Sequence, residues 1–207
     1  MASDAENEQD GMLLDTLRQY ADLQGGYFLS KQADEAGVSR QLLSYYARED
    51  GPVYRYYRGL YRIKDYPKTR FDRIIAEWYD TGRRIKAAIS HESAADVHGL
   101  TKRVTHVVHM TAPMKYGERR PPKGVVLYFD DDGVPAAEQI EFHGVPVTSI
   151  ERTVVDLLES RGANNKVSKI IDEALTTRKT SVKALQQTAR ERSKDHFALL
   201  EEARKAS

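Results

Sequence analysis

The stretch Gly26–Ile63, GYFLSKQADEAGVSRQLLSYYAREDGPVYRYYRGLYRI, decides how the chain folds. Ser30 stands where its side chain can cap the free N–H groups of KQADEA, which predicts a first helix there. Gly37 supplies the positive φ with which the chain leaves that helix. Ser39 then caps a second helix, RQLLSYYAR, running to about Arg48. Val38, Leu42, Leu43 and Tyr46 form its apolar stripe, so the opposite face presents Arg40, Gln41, Ser44, Tyr45 and Arg48. These are residue types that reach base edges and phosphates. Gly51-Pro52 breaks the helix, and VYRYYRGLYRI alternates apolar or aromatic residues with arginines around Arg58-Gly59, as a β-hairpin does. Helix, glycine turn, helix and basic hairpin in this order predict a winged helix-turn-helix.

Small helical domains also use this geometry for packing or protein contacts, and charge separates the readings. Between Gly26 and Lys64 there are seven Lys/Arg (31, 40, 48, 55, 58, 62, 64) and four Asp/Glu (34, 35, 49, 50), a net of +3. The positive residues fall mainly on the second helix and wing, while Asp34 and Glu35 fall on the first helix. That distribution favours DNA binding.

The rest of the chain bounds this reading. Its 207 residues allow one domain or two small ones. The net charge of +1 leaves room only for a local basic patch. The absence of cysteine excludes a disulfide framework, a zinc ribbon and a cysteine nucleophile. No apolar run is long enough to span a bilayer, and MASDAENEQDG is acidic, unlike a signal peptide, so a cytoplasmic location and no membrane partner are expected.

Residues 1–11 predict a disordered acidic tail. MLLDTLRQYADL (12–23) has the spacing of a helix that completes the winged domain, which is expected over 12–68. TRFDRIIAEWYDTG, opened by Thr69, predicts the first helix of a second domain over 69–207. There IKAAI (85–89) reads as a short strand or a helix entry, and RVTHVVHMT (103–111), KGVVLYFD (123–130) and EQIEFHGVPVT (138–148), the last turning at His143-Gly144, predict strands. SHESAADVHGL (90–100) reads as a helix capped by Ser90. TSIERTVVDLLES reads as a helix with a capping box from Thr148 to Glu151. KVSKIIDEAL and SVKALQQTARERSKDHFALLEEARKA predict a helical carboxy-terminus. Residues 161–207 hold eleven Lys/Arg against six Asp/Glu, an excess that suits an acidic partner or a solvated helical face. The fold class expected is α+β.

Chemical motifs are sparse. Of the six histidines, His91 and His98 stand seven apart, and His106 and His109 are predicted on opposite strand faces, so no metal site is expected. GxSxG, SxxK, GxGxxG, GxxxxGK[ST] and the HRDxxxxN plus DFG pair of kinases do not occur. The run Asp130-Asp131-Asp132 before Gly133 reads as a solvated turn or a weak cation site. Thr148, Ser149 and Arg152 lie at a strand-to-helix junction whose N–H groups can receive a phosphate or carboxylate. The alternative there is a cap plus an i, i+4 ion pair from Arg152 to Asp156.

Taken together, GYFLSKQADEAGVSRQLLSYYARED, RYYRGLYRI, AISHESAADVHGL, HVVHMTAP and GVPVTSIERTVVDLL resemble the AbiEi family of antitoxins, mycobacterial members included. These stretches cover most of residues 13–160. The resemblance implies an N-terminal winged helix that binds operator DNA and represses its own operon, followed by a mixed α/β antitoxin domain. It further implies a partner, a nucleotidyltransferase-like toxin. On this chain Arg40, Gln41, Ser44 and Tyr45 would read the major groove, Arg55, Tyr57 and Arg58 would hold phosphates, and Ser39 and Arg48 would join the DNA-binding set. Neutralisation by binding needs no cofactor. Neutralisation by phosphorylating the toxin would make the chain an atypical serine protein kinase using ATP and Mg, with Asp156, His91 and Lys102 as candidate catalytic residues. A third reading is a transcription factor whose second half senses a small molecule.

Overall fold

The computed structural model describes residues 2–102 and 106–205, with side chains from residue 11 onward. It is an α+β structure that divides into two compact units, Met1–Asp80 and Thr81–Ser207. In the first unit α1 (Ala2–Leu23) leads into β1 (Tyr27–Leu29), α2 (Ser30–Glu35), α3 (Arg40–Tyr46), β2 (Val53–Tyr57), β3 (Leu60–Ile63) and α4 (Asp72–Asp80). The expected disordered tail over 1–11 is therefore corrected from Ala2 onward. Its alanine and glutamate favour helix, and acidic residues suit the positive end of the helix dipole.

The three strands form an antiparallel sheet in the order β1-β3-β2, with Tyr27 opposite Arg62 and Arg55 opposite Tyr61. Gly59 takes a φ of 79° at the hairpin tip, a region closed to most side chains. Leu17, Ala21, Phe28, Ala33, Val38, Leu43, Tyr46, Val53 and Ile63 form the core, so α1 to α3 and all three strands share one apolar centre. The first short helix starts one residue differently from expectation. Leu29 is its N-cap, and the Gln32 side chain accepts from the Leu29 N–H at 2.7 Å, leaving Ser30 as the first helical residue. Ser39 caps α3 as predicted, accepting from Leu42 N–H at 3.1 Å.

The predicted division at residues 68 and 69 also shifts. Thr69 does brace the start of α4, through two bonds of 2.9 Å to the Asp72 carboxylate. Yet α4 belongs to the first unit, because Asp72 pairs with Arg62 at 3.0 Å and Glu77 accepts from the Tyr57 hydroxyl at 2.9 Å.

In the second unit β4 (Ala88–Ile89) precedes α5 (His91–Val97), β5 (Val108–Pro113), β6 (Val125–Asp130), β7 (Gln139–Phe142) and β8 (Val145–Thr148). The chain then runs through α6 (Ile150–Arg161), α7 (Asn165–Thr176), α8 (Val182–Arg192) and α9 (Lys194–Lys205). The sheet order is β6-β5-β4-β8-β7, mixed in direction: β5–β6 and β4–β8 are parallel, β4–β5 and β7–β8 antiparallel. His143 and Gly144, both at positive φ, make the predicted turn between β7 and β8. The strand expected over 103–111 begins only at Val108; positions 103–105 lie outside the described residues. Val154, Val155, Leu157 and Leu158 of α6 pack with Val167, Ile170 and Ile171 of α7, Leu185 of α8 and Leu200 of α9. That helical core holds α6 in place, and α6 carries Arg152, Asp156, Glu159 and Ser160 of the polar site described next.

Candidate functional site

Each unit presents a constellation of interest. In the first, the cap at Ser39 and the apolar anchors Leu43 and Tyr46 fix the rotation of α3. Arg40, Gln41, Ser44, Tyr45 and Arg48 are consequently all exposed, with Tyr45 at 56%. The Arg48 guanidinium lies 4.9 Å from the Tyr45 ring centre, a cation–π contact on that outer face. Arg55 and Arg58 are exposed on the wing. Lys64 donates to the carbonyls of Arg48, at 3.1 Å, and Glu49, which ties the wing strand to the end of α3.

Three residues counted for this face by sequence reasoning are used otherwise. Ser39 is occupied with the helix cap. The Tyr57 hydroxyl is turned to Glu77, and its pKa is pushed up by burial and by that bond. Arg62 is fully buried, donating to the carbonyls of Tyr66 at 3.1 Å and Pro67 at 3.0 Å beside its ion pair to Asp72. Alternation along β3 places it among Tyr27 and Tyr66 rather than in solvent. The exposed basic set is thus Arg40, Arg48, Arg55, Arg58 and Lys64, the last donating to the end of α3, joined by Lys31, which pairs with Glu35 at 3.2 Å.

In the second unit a cavity of about 340 Å³ is lined by His91, Thr111, Tyr128, Phe129, Asp130, Arg152, Asp156, Glu159, Ser160 and Arg192. Its centre is Arg152, 2% exposed, which donates to Asp156 at 2.6 Å, Glu138 at 2.5 Å and Asp130 at 2.7 Å. Arg192 joins at Asp130, 2.9 Å away. Burial disfavours the charged form of Arg152, but the surrounding carboxylates outweigh it and raise its pKa. Burial pushes the Asp156 carboxyl up to about 6, against the pull of Arg152. Among the described residues the Asp156 Oδ2 atom has no hydrogen-bond partner.

One wall is built from His91, which stacks on Tyr128 with ring centres 3.5 Å apart. His91 adopts a φ of 52°, a left-handed conformation rare for a residue with a side chain. Ser90 lies 2.8 Å from His91 Nδ1 and receives a 2.8 Å bond from Thr111. Behind it, Glu92 accepts from Arg161 at 3.0 Å and Lys166 at 3.3 Å and approaches His109 to 3.5 Å. Burial raises the Glu92 pKa, but Arg161 and His109 outweigh it and hold the carboxyl at about 2.

The predicted residues of this unit are dispersed. Asp156 and His91 share the cavity. Lys102 lines a separate groove with Leu100, Lys166, Lys169 and Ile170, so it does not join them. Thr148 is buried, bonded to Thr153 at 2.7 Å, and its carbonyl accepts from His98 at 2.7 Å. Ser149 is the actual cap of α6, and Glu151 accepts from the Thr180 hydroxyl instead of completing a capping box. With Arg152 engaged by three carboxylates, the expected phosphate site at Thr148, Ser149 and Arg152 is not assembled. The expected i, i+4 ion pair from Arg152 to Asp156 is present at 2.6 Å and is buried. Asp130 is its strand-borne partner, while Asp131 and Asp132 are exposed. Tyr128, Glu138 and Arg192 were missed, since nothing local marks them.

The buried histidines give a pH dependence. Burial lowers the pKa of His91 from 6.5 to about 3, and lowers those of His98 and His109. A depressed pKa contributes stability that is complete above the unfolded value and is lost as pH falls toward the folded one. For His91 the loss between pH 7 and 5 is about 2 kcal/mol. Asp156 works in the opposite direction, because its raised pKa favours the fold as pH falls through 6, by about 1 kcal/mol over the same range. The melting temperature of the second unit is therefore expected to drop between pH 7 and 5. His91→Phe, which keeps a ring on Tyr128, should flatten that slope in a pH series of thermal melts; an unaltered slope would refute the assignment to His91.

No family model and no curated protein matches the sequence. Among solved structures, the fold is similar to that in the crystal structure of the RV2827C protein from Mycobacterium tuberculosis. The two are 14% identical with a TM-score of 0.52, over 90% of this chain and 78% of that one. At this identity the likeness is one of fold. Among the described residues, no helix is long and apolar enough to cross a membrane.

Proposed function

We propose that this chain is a DNA-binding antitoxin of the AbiEi type, whose first unit represses its own operon in the cytoplasm. The observation that carries the DNA reading is the outer face of α3. Arg40, Gln41, Ser44, Tyr45 and Arg48 all point to solvent from a helix whose rotation is fixed by Ser39, Leu43 and Tyr46. Arg55 and Arg58 extend the same chemistry onto the wing. A recognition helix with an adjacent basic hairpin matches the groove and backbone contacts of winged readers.

The experiment is fluorescence anisotropy with DNA from upstream of the chain's own gene, at fixed salt. Arg40→Ala is expected to weaken binding about 10- to 100-fold, as loss of one base-reading arginine does, with an unchanged melting temperature. Retained affinity would remove α3 from the reading.

For the second unit the proposal is stoichiometric binding of a nucleotidyltransferase-like toxin. The kinase alternative gains from Asp156, a carboxyl near neutral pKa beside His91 in one cavity. Against it, the arginines lining that cavity, Arg152 and Arg192, are already paired with Asp130 rather than open to a triphosphate. Intact mass of the toxin after incubation with the chain, ATP and Mg separates the two. Co-elution at unchanged mass supports binding, and a phosphate gained only with the chain and ATP present supports the kinase.

A further inference from the structure

Strand β6 ends the sheet of the second unit, with β5 on one side and no strand on the other. The ladder shows which of its groups face outward. The Val108 N–H donates to the Gly124 carbonyl at 2.9 Å, so Gly124, Val126, Tyr128 and Asp130 turn their backbone groups toward β5. Val125, Leu127 and Phe129 turn theirs away. The Val125 N–H is used, donating to the Pro122 carbonyl at 3.1 Å. Among the described residues, the N–H groups of Leu127 and Phe129 and the carbonyls of Val125, Leu127 and Phe129 meet no backbone partner. An apolar edge such as VVLYFD is a template for another strand. The opposite edge, β7, carries the exposed Glu141 among its four residues, a charge of the kind by which edges resist pairing.

We propose that the occupant of this edge is a second copy of the chain, with β6 antiparallel to β6 about a two-fold axis at Leu127. Centred there, each Leu127 exchanges two bonds with its counterpart, and each Phe129 N–H donates to the other copy's Val125 carbonyl. The Val125 N–H, already given to Pro122, is the one outward donor of the strand that this arrangement leaves out. The side chains agree. Val125 meets the other copy's Phe129 and Leu127 meets Leu127 on one face, while Val126 meets Tyr128 on the other. Asp130, the one charge in the strand, falls opposite Gly124. Lys123 and Asp131 stand four residues to either side of Leu127, both exposed and without an ion pair among the described residues. The axis sets each Lys123 opposite the other copy's Asp131. An axis at Tyr128 would instead set Val125 against Asp131 and Val126 against Asp130, and one at Val126 would need the Val125 N–H. The inference does not depend on what either unit binds.

The test is sedimentation velocity of the full chain across a wide concentration range at fixed salt. A reversible monomer–dimer equilibrium is expected. Lys123→Asp and Asp131→Lys each set like charges opposite one another, twice per dimer by symmetry, and should each weaken it about tenfold. The double variant, Lys123→Asp with Asp131→Lys, should restore it, a rescue that damage to the fold would not produce. The chain has no cysteine, so Leu127→Cys places a single thiol at the axis. Opposed hydrogen-bonded positions lie about 5.5 Å apart between Cα atoms, within reach of a disulfide. Oxidation should cross-link Leu127→Cys into a dimer, while Ile140→Cys, exposed on β7, stays monomeric. A monomer at every concentration, no rescue by the double variant, or cross-linking of Ile140→Cys as readily as Leu127→Cys would overturn the proposal.

Discussion

Replacing Arg152 by alanine is expected to lower the melting temperature of the second unit by 10 °C or more, while the first unit melts as before. The side chain is 2% exposed and stands between Asp130, Glu138 and Asp156, with nitrogen–oxygen distances of 2.5–2.7 Å. Its loss leaves Asp130, Glu138 and the buried Asp156 facing one another without the cation they share. Breaking a buried pair from one side is destabilising by about 3–5 kcal/mol. For a unit of this size each kcal/mol moves the melting temperature by about 3–5 °C. Part of the loss should return in the double variant Arg152→Ala with Asp156→Asn, because the second change removes the most deeply buried of the stranded charges. Differential scanning calorimetry resolves the two transitions. A loss below about 1 kcal/mol, the range of exposed pairs, would show that the network is solvated.

Arg62→Met is expected to do the equivalent damage in the first unit. Methionine fills most of the volume, yet Asp72 loses its ion pair and the carbonyls of Tyr66 and Pro67 lose their donors. The expected cost is again about 3–5 kcal/mol, measurable as a shift of the urea midpoint. DNA binding should survive at low temperature and vanish only as the unit melts. Arg40→Ala should show the reverse, weak binding on an intact fold. The pair of variants would thus separate an arginine that holds the unit together from one proposed to contact DNA. If Arg62→Met lost DNA binding without losing stability, its buried assignment would be wrong.

That contrast also shows where sequence reasoning reached its limit. The unit around α3 was legible because its signals are local: a serine cap, a glycine with positive φ, apolar spacing of three and four, and Gly59 at the hairpin tip. Charge alone could not distinguish Arg62 from Arg58, since both are arginines in a wing strand or its turn. Only the register, which sets Arg62 opposite Tyr27, turns one of them inward. Helix α4 was placed in the wrong half because the contacts that hold it, Tyr57 to Glu77 and Arg62 to Asp72, span 20 and 10 residues.

In the second unit the i, i+4 spacing of Arg152 and Asp156 was visible, but a helical pair of this kind is ordinarily exposed. Its burial depends on Asp130 and Glu138, which lie 22 and 14 residues upstream, and on Arg192 from a later helix. His91 and Asp156 were singled out and do share a cavity. Lys102 has no spacing that ties it to them, and it lines another groove.

If α3 and the wing contact DNA as proposed, the Lys64 bridge to the carbonyls of Arg48 and Glu49 shapes how that contact would form. It fastens the strand that returns from the hairpin to the end of the recognition helix, so the two cannot search their contacts independently. The entropy of aligning them is already lost in the free protein and is not charged against the complex. Groove and backbone contacts should then form and break in one step, giving single-exponential dissociation and a footprint whose helix and hairpin zones fade together as salt is raised. Lys64→Met, with that clasp removed, would let the hairpin zone fade first.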